Sequence, residues 1–289
     1  MNLRGLNNCG NTCYMNSALQ ILLQNKDFVD YFKTTKFENS DLNLFKQFIE
    51  SYHNSDSSSL KLTQVKTIVG KKKLMFSGFS QNDSTEFLLL LINILEELIE
   101  KEKKKDKKFI NPLYKIFNFE GKQTIKCKIK RCNNKSENKI TSNFLILTIP
   151  EKNNIELDDC YRAYKNHEKL MGDGRWKCDK CNKKRIASKR IEINNWPKHL
   201  LIQFKRFGIR GSRFIKNNNQ INLPIEWRRN YKLKGIIIQS GSMRSGHYIA
   251  VVRKEGEWWL CNDSQIKKLS NIEFENYKDR AYLAYYLMK

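Results

Sequence analysis

Cys13 follows Asn11 and Thr12, two good helix N-cap residues. It precedes Met15, Ala18, Leu19 and Leu22, whose spacing is that of one buried helix face. The thiol is therefore expected at a helix N-terminus. There, unpaired N–H groups and the positive end of the dipole favour the thiolate, the nucleophilic form. Gly5 and Gly10 bracket the approach and let the backbone come close to a substrate. A small buried residue on a core helix is the competing reading of Cys13, and this segment alone does not separate the two. A distant segment shifts the balance. Gly241 and Gly246 bracket a loop that delivers His247 to the start of an apolar strand, 248–252. A second strand, 258–261, ends in Asn262 and Asp263. A turn over 254–257 would pair the two strands and set His247 beside Asn262. Nucleophile, base and base-orienting amide then follow in chain order.

A second constellation is metal-like. Cys127 and Cys132, with four residues between them, and Cys178 and Cys181, with two between, form close pairs suited to a tetrahedral zinc with four thiolate ligands. No histidine falls in either pair, so the expected zinc is structural. Ordinary reduced cysteines are the alternative.

Chemistry of this kind needs elements to position it. Residues 1 to about 110 read as helical; Ser80 is expected to open a second strong helix, with Phe87, Leu88, Leu91, Ile94, Leu95 and Leu98 on its buried face. From about 140 strands dominate: 144–149, 200–207, 235–239, 248–252, 258–261 and 281–287. Helices first and strands later predict an α+β fold with an antiparallel sheet. No linker composition divides the 289 residues, so 1–289 is read as a single domain. The longest apolar run is too short to span a bilayer, no signal peptide precedes it, and the cysteine usage fits a reducing compartment. An intracellular protein, in cytoplasm or nucleus and with no membrane partner, is expected. The formal charge of +24 is spread along a chain rich in Lys and Asn. This reads as compositional bias, so nucleic acid is not the favoured partner.

Several segments resemble the ubiquitin-specific proteases, the large papain-like class of deubiquitinating enzymes. Residues 5–17 resemble their cysteine box, and Gln81, Asn82, Asp83, Glu86 and Phe87 their glutamine/aspartate box. Lys205, Arg206 and Phe207 resemble their Lys-Arg-Phe strand; residues 231–235, 247–248, 259–264 and 281–286 resemble their histidine box. The resemblance runs from residue 3 nearly to the C-terminus. It implies a hand-like catalytic domain: a helical thumb (about 1–110) carrying Cys13, and fingers and palm (about 111–289) with zinc-tipped fingers and a sheet carrying His247.

The implied activity is thiol-dependent hydrolysis of the peptide or isopeptide bond after the C-terminal glycine of ubiquitin, through an acyl-enzyme on Cys13. His247 is the implied base and Asn262 the third triad member, favoured over the adjacent Asp263, which could share the role. Asn8 matches the oxyanion residue. Asp83 and Glu86 could pair with the arginines of the ubiquitin tail, Leu-Arg-Leu-Arg-Gly-Gly, and Phe207 and Tyr248 match positions lining its channel. Loops 208–213 and 240–246 look like the two loops that gate that channel. The implied partners are ubiquitin and ubiquitinated proteins, with the chain a monomer. Competing readings are a protease for another Gly-Gly modifier, a non-catalytic ubiquitin-binding scaffold and a zinc-containing nucleic-acid binder. The first pair of metal cysteines departs from the usual family spacing, which makes Cys127 the weakest assignment of the four.

Overall fold

The structure, a computed structural model, describes residues 3–54, 59–104, 108–166, 168–211, 213–228, 230–242 and 245–289. Parts of the polar stretch 54–59, the lysine block 101–108, and the loops 208–213 and 240–246 (Ser212, Met243 and Arg244) lie outside the described residues.

Among the described residues, six helices build the first half: α1 (Cys13–Leu22), α2 (Lys26–Thr34), α3 (Ser40–Asn54), α4 (Thr63–Lys72), α5 (Ser84–Glu102) and α6 (Pro112–Phe117). Helix α1 is buried along its whole length, because it lies between α5 and the sheet strands Tyr231–Gly241, Gly246–Lys254 and Glu257–Asn262. Burial on all sides forces its polar side chains to find partners. Asn16 Nδ2 donates to the Leu6 carbonyl at 3.0 Å, and Ser17 Oγ meets Ser84 Oγ at 3.1 Å. Gln20 donates to the Arg4 carbonyl at 2.6 Å and accepts from Tyr52 Oη at 2.7 Å. These bonds fix the rotation of α1, and so the direction in which Cys13 looks.

Helix α5 starts at Ser84, four residues later than Ser80. Asp83 is the residue with a side-chain acceptor in reach: its Oδ1 takes the N–H groups of Thr85 (2.8 Å) and Glu86 (2.9 Å).

The palm is an eight-stranded sheet. Its main path runs Gln265–Leu269, Glu257–Asn262, Gly246–Lys254, Tyr231–Gly241, Leu283–Met288, His199–Lys205, Phe144–Thr148, and the short Glu226–Trp227 pairs with Tyr231–Gly241 off this path. Every neighbouring pair is antiparallel except the last, so the expected antiparallel sheet carries one parallel edge. Both faces are buried. Ile237, Ala250, Val252 and Tyr285 join the thumb core, while Ile236, Ile238, Val251 and Tyr286 join a second core with α7 (Leu157–Lys165) and α8 (Asn271–Lys278). The period of two in the sequence thus sorts alternate residues into two cores. The last strand begins at Leu283 rather than 281.

Two buried polar groups lock the layers together. His199 bridges Asp27 of α2 (Nε2 to Oδ2, 2.9 Å) and Tyr285 (Nδ1 to Oη, 2.7 Å). Arg206 spends its guanidinium on carbonyls, those of Ala281 (2.7 Å), Asn217 (3.1 Å), Asn219 (2.8 Å) and Asp279 (3.4 Å). It therefore holds the chain around the palm rather than facing a substrate.

The fingers are a four-stranded antiparallel sheet, ordered Lys135–Ser142, Phe119–Cys127, Ala187–Asn195, Glu168–Leu170, with a small hairpin, Trp176–Cys178 and Lys183–Arg185, at the tip.

Gly5 sits where the thumb meets the palm. A Cβ there would fall 2.1 Å from the Ser264 carbonyl oxygen. The neighbouring Leu6 N–H donates to the Asp263 carbonyl at 2.9 Å. Backbone cannot give way as a side-chain tip can, so Gly5→Ala must push the 262–264 segment away from α1. The expected result is a loss of about 2–3 kcal/mol in urea denaturation, with turnover lowered more than ten-fold in the protein that still folds. Wild-type stability and rate in this variant would refute the close approach.

Candidate active site

Helix α1 places Cys13 at its first turn, with Thr12 in the N-cap position. The expected side-chain cap is not made. Thr12 Oγ1 instead accepts from Cys9 N–H at 2.9 Å, and Asn11 turns left-handed (φ 55°). The thiol lies among backbone N–H groups of Tyr248, Tyr14 and Cys13 itself, which favour thiolate. Burial outweighs them and, with the nearby Asp263 carboxylate, pushes the Cys13 thiol above the ordinary range. The thiolate expected from the helix terminus is thus not the resting form. A base must take the proton as the reaction proceeds.

His247 lies near the start of the strand Gly246–Lys254, and Asn262 ends the strand Glu257–Asn262. Lys254 opposite Glu257 closes the turn between them, as read from the sequence. Asn262 Oδ1 meets His247 Nε2 at 2.7 Å. An amide oxygen only accepts, so Nε2 carries the proton and Nδ1 keeps its lone pair, the tautomer a general base needs. Among the described residues no hydrogen bond yet joins His247 to Cys13. Such bonds often tighten only when substrate binds.

Asp263 is directed elsewhere. Its backbone is left-handed (φ 50°), and its carboxylate accepts from Asn16 Nδ2 at 2.7 Å (Oδ1) and Asn8 Nδ2 at 2.9 Å (Oδ2). Asn8 Oδ1 in turn accepts from Thr12 N–H at 2.9 Å. The Asn8 amide is thereby pinned on both sides in front of α1, with one N–H still available. Asn16, which no sequence argument singled out, is the helix residue that anchors Asp263. Its only sequence signal is a polar residue inside an apolar helix pattern.

A cleft of about 530 Å³ is lined by Asp83, Glu86, Phe207 and Tyr248, together with Gln239 and Tyr282. The structure thus gathers the four sequence-derived substrate residues around one channel. Asp83 is heavily committed within it. Beyond capping α5, its Oδ2 accepts from Tyr248 Oη at 3.3 Å and from Tyr282 Oη. Glu86, by contrast, stands half exposed and pairs with Lys73. The loop before His247 is tied to the thumb by Gly246 N–H donating to Gln81 Oε1 at 2.8 Å. Cys261 is deeply buried, which pushes its thiol up to about 12, so it is poorly suited to react with Cys13.

At the fingertip the Sγ atoms of Cys127, Cys132, Cys178 and Cys181 lie within 4.8 Å of one another. Cys132 is 3.6 Å from Cys178 and 3.3 Å from Cys181. Four thiolates around a tetrahedral zinc at 2.3 Å would sit about 3.8 Å apart, so the donor set fits such an ion. The longer first spacing is absorbed by a turn: Cys132 N–H donates to the Ile129 carbonyl at 3.0 Å, and Arg131 is left-handed (φ 70°). Burial acts to raise the Cys178 thiol. The Asn134 amide at 3.4 Å, the Cys181 backbone and neighbouring thiols overcome it and bring Cys178 down to about 6.

Residues 4–286 match the family model described as ubiquitin carboxyl-terminal hydrolase. The chain is 26% identical over 312 residues to ubiquitin carboxyl-terminal hydrolase 12 of Salmo salar, covering 94% of this chain and 83% of the relative. Its fold matches that of a SAGA DUB module containing Ubp8, Sgf11, Sus1 and Sgf73 bound to monoubiquitin. The TM-score is 0.83 at 25% identity, over 99% of this chain and 69% of the other. A second structure of that module, bound to ubiquitin aldehyde, matches with a TM-score of 0.81 at 24% identity, over 99% and 70%. With a family match across nearly its whole length, the chain belongs to the ubiquitin carboxyl-terminal hydrolase family.

Proposed function

We propose that this chain is a thiol-dependent deubiquitinase that hydrolyses the bond after the C-terminal glycine of ubiquitin. The observation that carries the assignment of roles is the 2.7 Å bond from Asn262 to His247 Nε2, which leaves Nδ1 as the base for Cys13. His247 takes the thiol proton as Sγ attacks the glycine carbonyl. The Asn8 amide and the backbone N–H of Cys13 meet the oxyanion. The tetrahedral adduct collapses as His247 protonates the departing amine. Water, deprotonated by the same imidazole, then releases ubiquitin from the thioester.

Asp263 acts through Asn8, as a positioning residue. In the channel we assign the first arginine contact to Glu86, since the Asp83 carboxylate is occupied by its cap and two tyrosines. Phe207 and Tyr248 form the walls. A structural zinc held by Cys127, Cys132, Cys178 and Cys181 would cross-link the fingertip and supplies no step of the reaction. We place the protein in a reducing intracellular compartment, with ubiquitin as its partner and the single chain as the catalytic unit.

The test is a ubiquitin probe ending in an electrophile. A covalent adduct one ubiquitin heavier is expected on the wild type and absent from Cys13→Ala. If folded wild type stays unmodified, or reacts only with probes built on other Gly-Gly modifiers, the assignment to ubiquitin fails.

A further inference from the structure

The palm strand Tyr231–Gly241 outruns the neighbour on one of its edges. It pairs with Leu283–Met288 only as far as Ile237, whose carbonyl also takes the Tyr282 N–H at 2.7 Å. Carbonyls two residues apart point to the same edge of a strand. Those of Gln239 and Gly241 therefore continue the row past the end of the partner strand, and they still need donors. A lysine supplies them. An ammonium has three protons, and Lys216 gives them to the Gln239 carbonyl (2.8 Å), the Gly241 carbonyl (3.0 Å) and Gln239 Oε1. The charges nearest to it, Arg206 and Arg280, are cations. These oxygens, not a carboxylate, hold it in place.

Lys216 belongs to a different element. It ends the hairpin Phe207–Arg210 and Arg213–Lys216, where it lies directly opposite Phe207. Its ammonium stands 5.6 Å from the centre of the Phe207 ring, which forms a wall of the cleft. One side chain thus ties a cleft wall to the end of a palm strand.

The other edge of that strand end faces the catalytic base. Gln239, Ser240 and Gly241 lie opposite Tyr248, His247 and Gly246. The two carbonyls that Lys216 grips flank Ser240, the residue opposite His247. Gln239, only 6% exposed, extends the grip into the loop before His247. Its Nε2 donates to the Ser242 carbonyl at 2.9 Å, and Ser242 N–H donates to the Ser245 carbonyl at 2.8 Å. A Cβ on Gly246 would fall 2.2 Å from Gln239 Nε2, so the loop lies directly against this amide.

We propose that Lys216 is a positioning residue for the hydrolysis: it holds the cleft wall at Phe207 and the strand end opposite His247 as one unit. It acts through the backbone and not on the reacting atoms. Without the ammonium, three oxygens lose this donor, and the strand end that sets the place of the imidazole is free to shift. The inference rests on reading the cleft as the channel for the ubiquitin tail.

The whole chain, with zinc bound, is assayed on a fluorogenic ubiquitin amide as wild type, Lys216→Met, Lys216→Arg and Phe207→Ala. Lys216→Met keeps the apolar stem and removes the donors. Its kcat should fall about ten-fold or more with KM little changed, because a small displacement of the base costs rate without emptying the channel. Phe207→Ala removes the wall itself and should act mainly on KM. Lys216→Arg keeps charge and donors and should recover most of the lost kcat. Hydrogen exchange at residues 238–248 should be faster in Lys216→Met, with α5 and the finger sheet as protected as in wild type. Lys216→Gln, whose shorter amide cannot reach all three oxygens, is the second variant should Lys216→Met not fold, and the same loss of kcat is expected from it. A loss confined to KM, as in Phe207→Ala, would reduce Lys216 to a support for the wall and overturn the proposal. So would no recovery in Lys216→Arg, or unchanged exchange at 238–248. Full turnover by both wild type and Lys216→Met would overturn this inference alone, whereas a wild type that leaves the ubiquitin amide intact would overturn the reading of the cleft and this inference with it.

Discussion

His247→Ala is expected to lower kcat/KM for a ubiquitin amide by roughly 10³-fold, with little change in folding, since His247 is only half buried. The physical reason lies in the thiol. Burial and the Asp263 charge keep Cys13 protonated at rest, so attack without a base starts from the weaker nucleophile. The role of Asn262 can be separated from that of Asp263 in the same assay. Asn262→Ala frees the imidazole to rotate and to take the wrong tautomer, with an expected loss of about 10²-fold. Asn262→Asp should keep most of the rate but move the acidic limb of the pH profile to higher pH. A carboxylate beside the imidazole favours its protonated form, so a higher pH is needed to obtain the free base. Asp263→Asn should lower the rate through Asn8 and leave that limb in place. The assignment fails if the limb moves in Asp263→Asn and stays fixed in Asn262→Asp.

The second large effect concerns the fingertip. Cys127, Cys132 and Cys178 form a small buried cluster of their own, with only Trp176 and Cys181 packed beside it among the described residues. So few apolar atoms cannot hold the tip hairpin against chain entropy, and a metal cross-link would supply what the core lacks. Elemental analysis is expected to find one zinc per wild-type chain and none in Cys178→Ser. Loss of the ion should cost on the order of 4 kcal/mol, a fall in Tm of roughly 10 °C. The thumb and palm have separate large cores. The variant should therefore still react with the ubiquitin electrophile at Cys13, with KM raised more than kcat is lowered. A metal-free wild type whose Tm is indifferent to chelators would show that the four thiols are held by packing alone.

Much of this molecule was legible before any coordinates. Cys13 before an amphipathic stretch, His247 at the head of an alternating strand, and two close cysteine pairs are short-range patterns. Helix periodicity, strand alternation and knuckle spacing are set by neighbours in sequence. The start of α5 was misplaced because Ser80 and Asp83 are both plausible caps. The choice between them depends on which side chain can reach the first free N–H groups, and that is Asp83.

What the chain could not declare is where adjacent side chains point once the layers close. Asn262 and Asp263 are neighbours of similar shape. The strand end sends the first to His247, and a left-handed backbone sends the second to Asn8 and Asn16. The state of the Cys13 thiol was misjudged for a related reason: a helix N-terminus is a local feature, whereas burial is a property of the whole fold. The lysines show the same division most plainly. In sequence they are a compositional bias. In the finger sheet a register of directly opposed residues sets Lys126 against Lys135 and Lys122 against Lys139 on one face. Residue types and local periodicity are written in the chain, so the reacting groups could be read there. Strand register, burial and charge distribution arise from contacts between distant segments, and only the tertiary structure decided them.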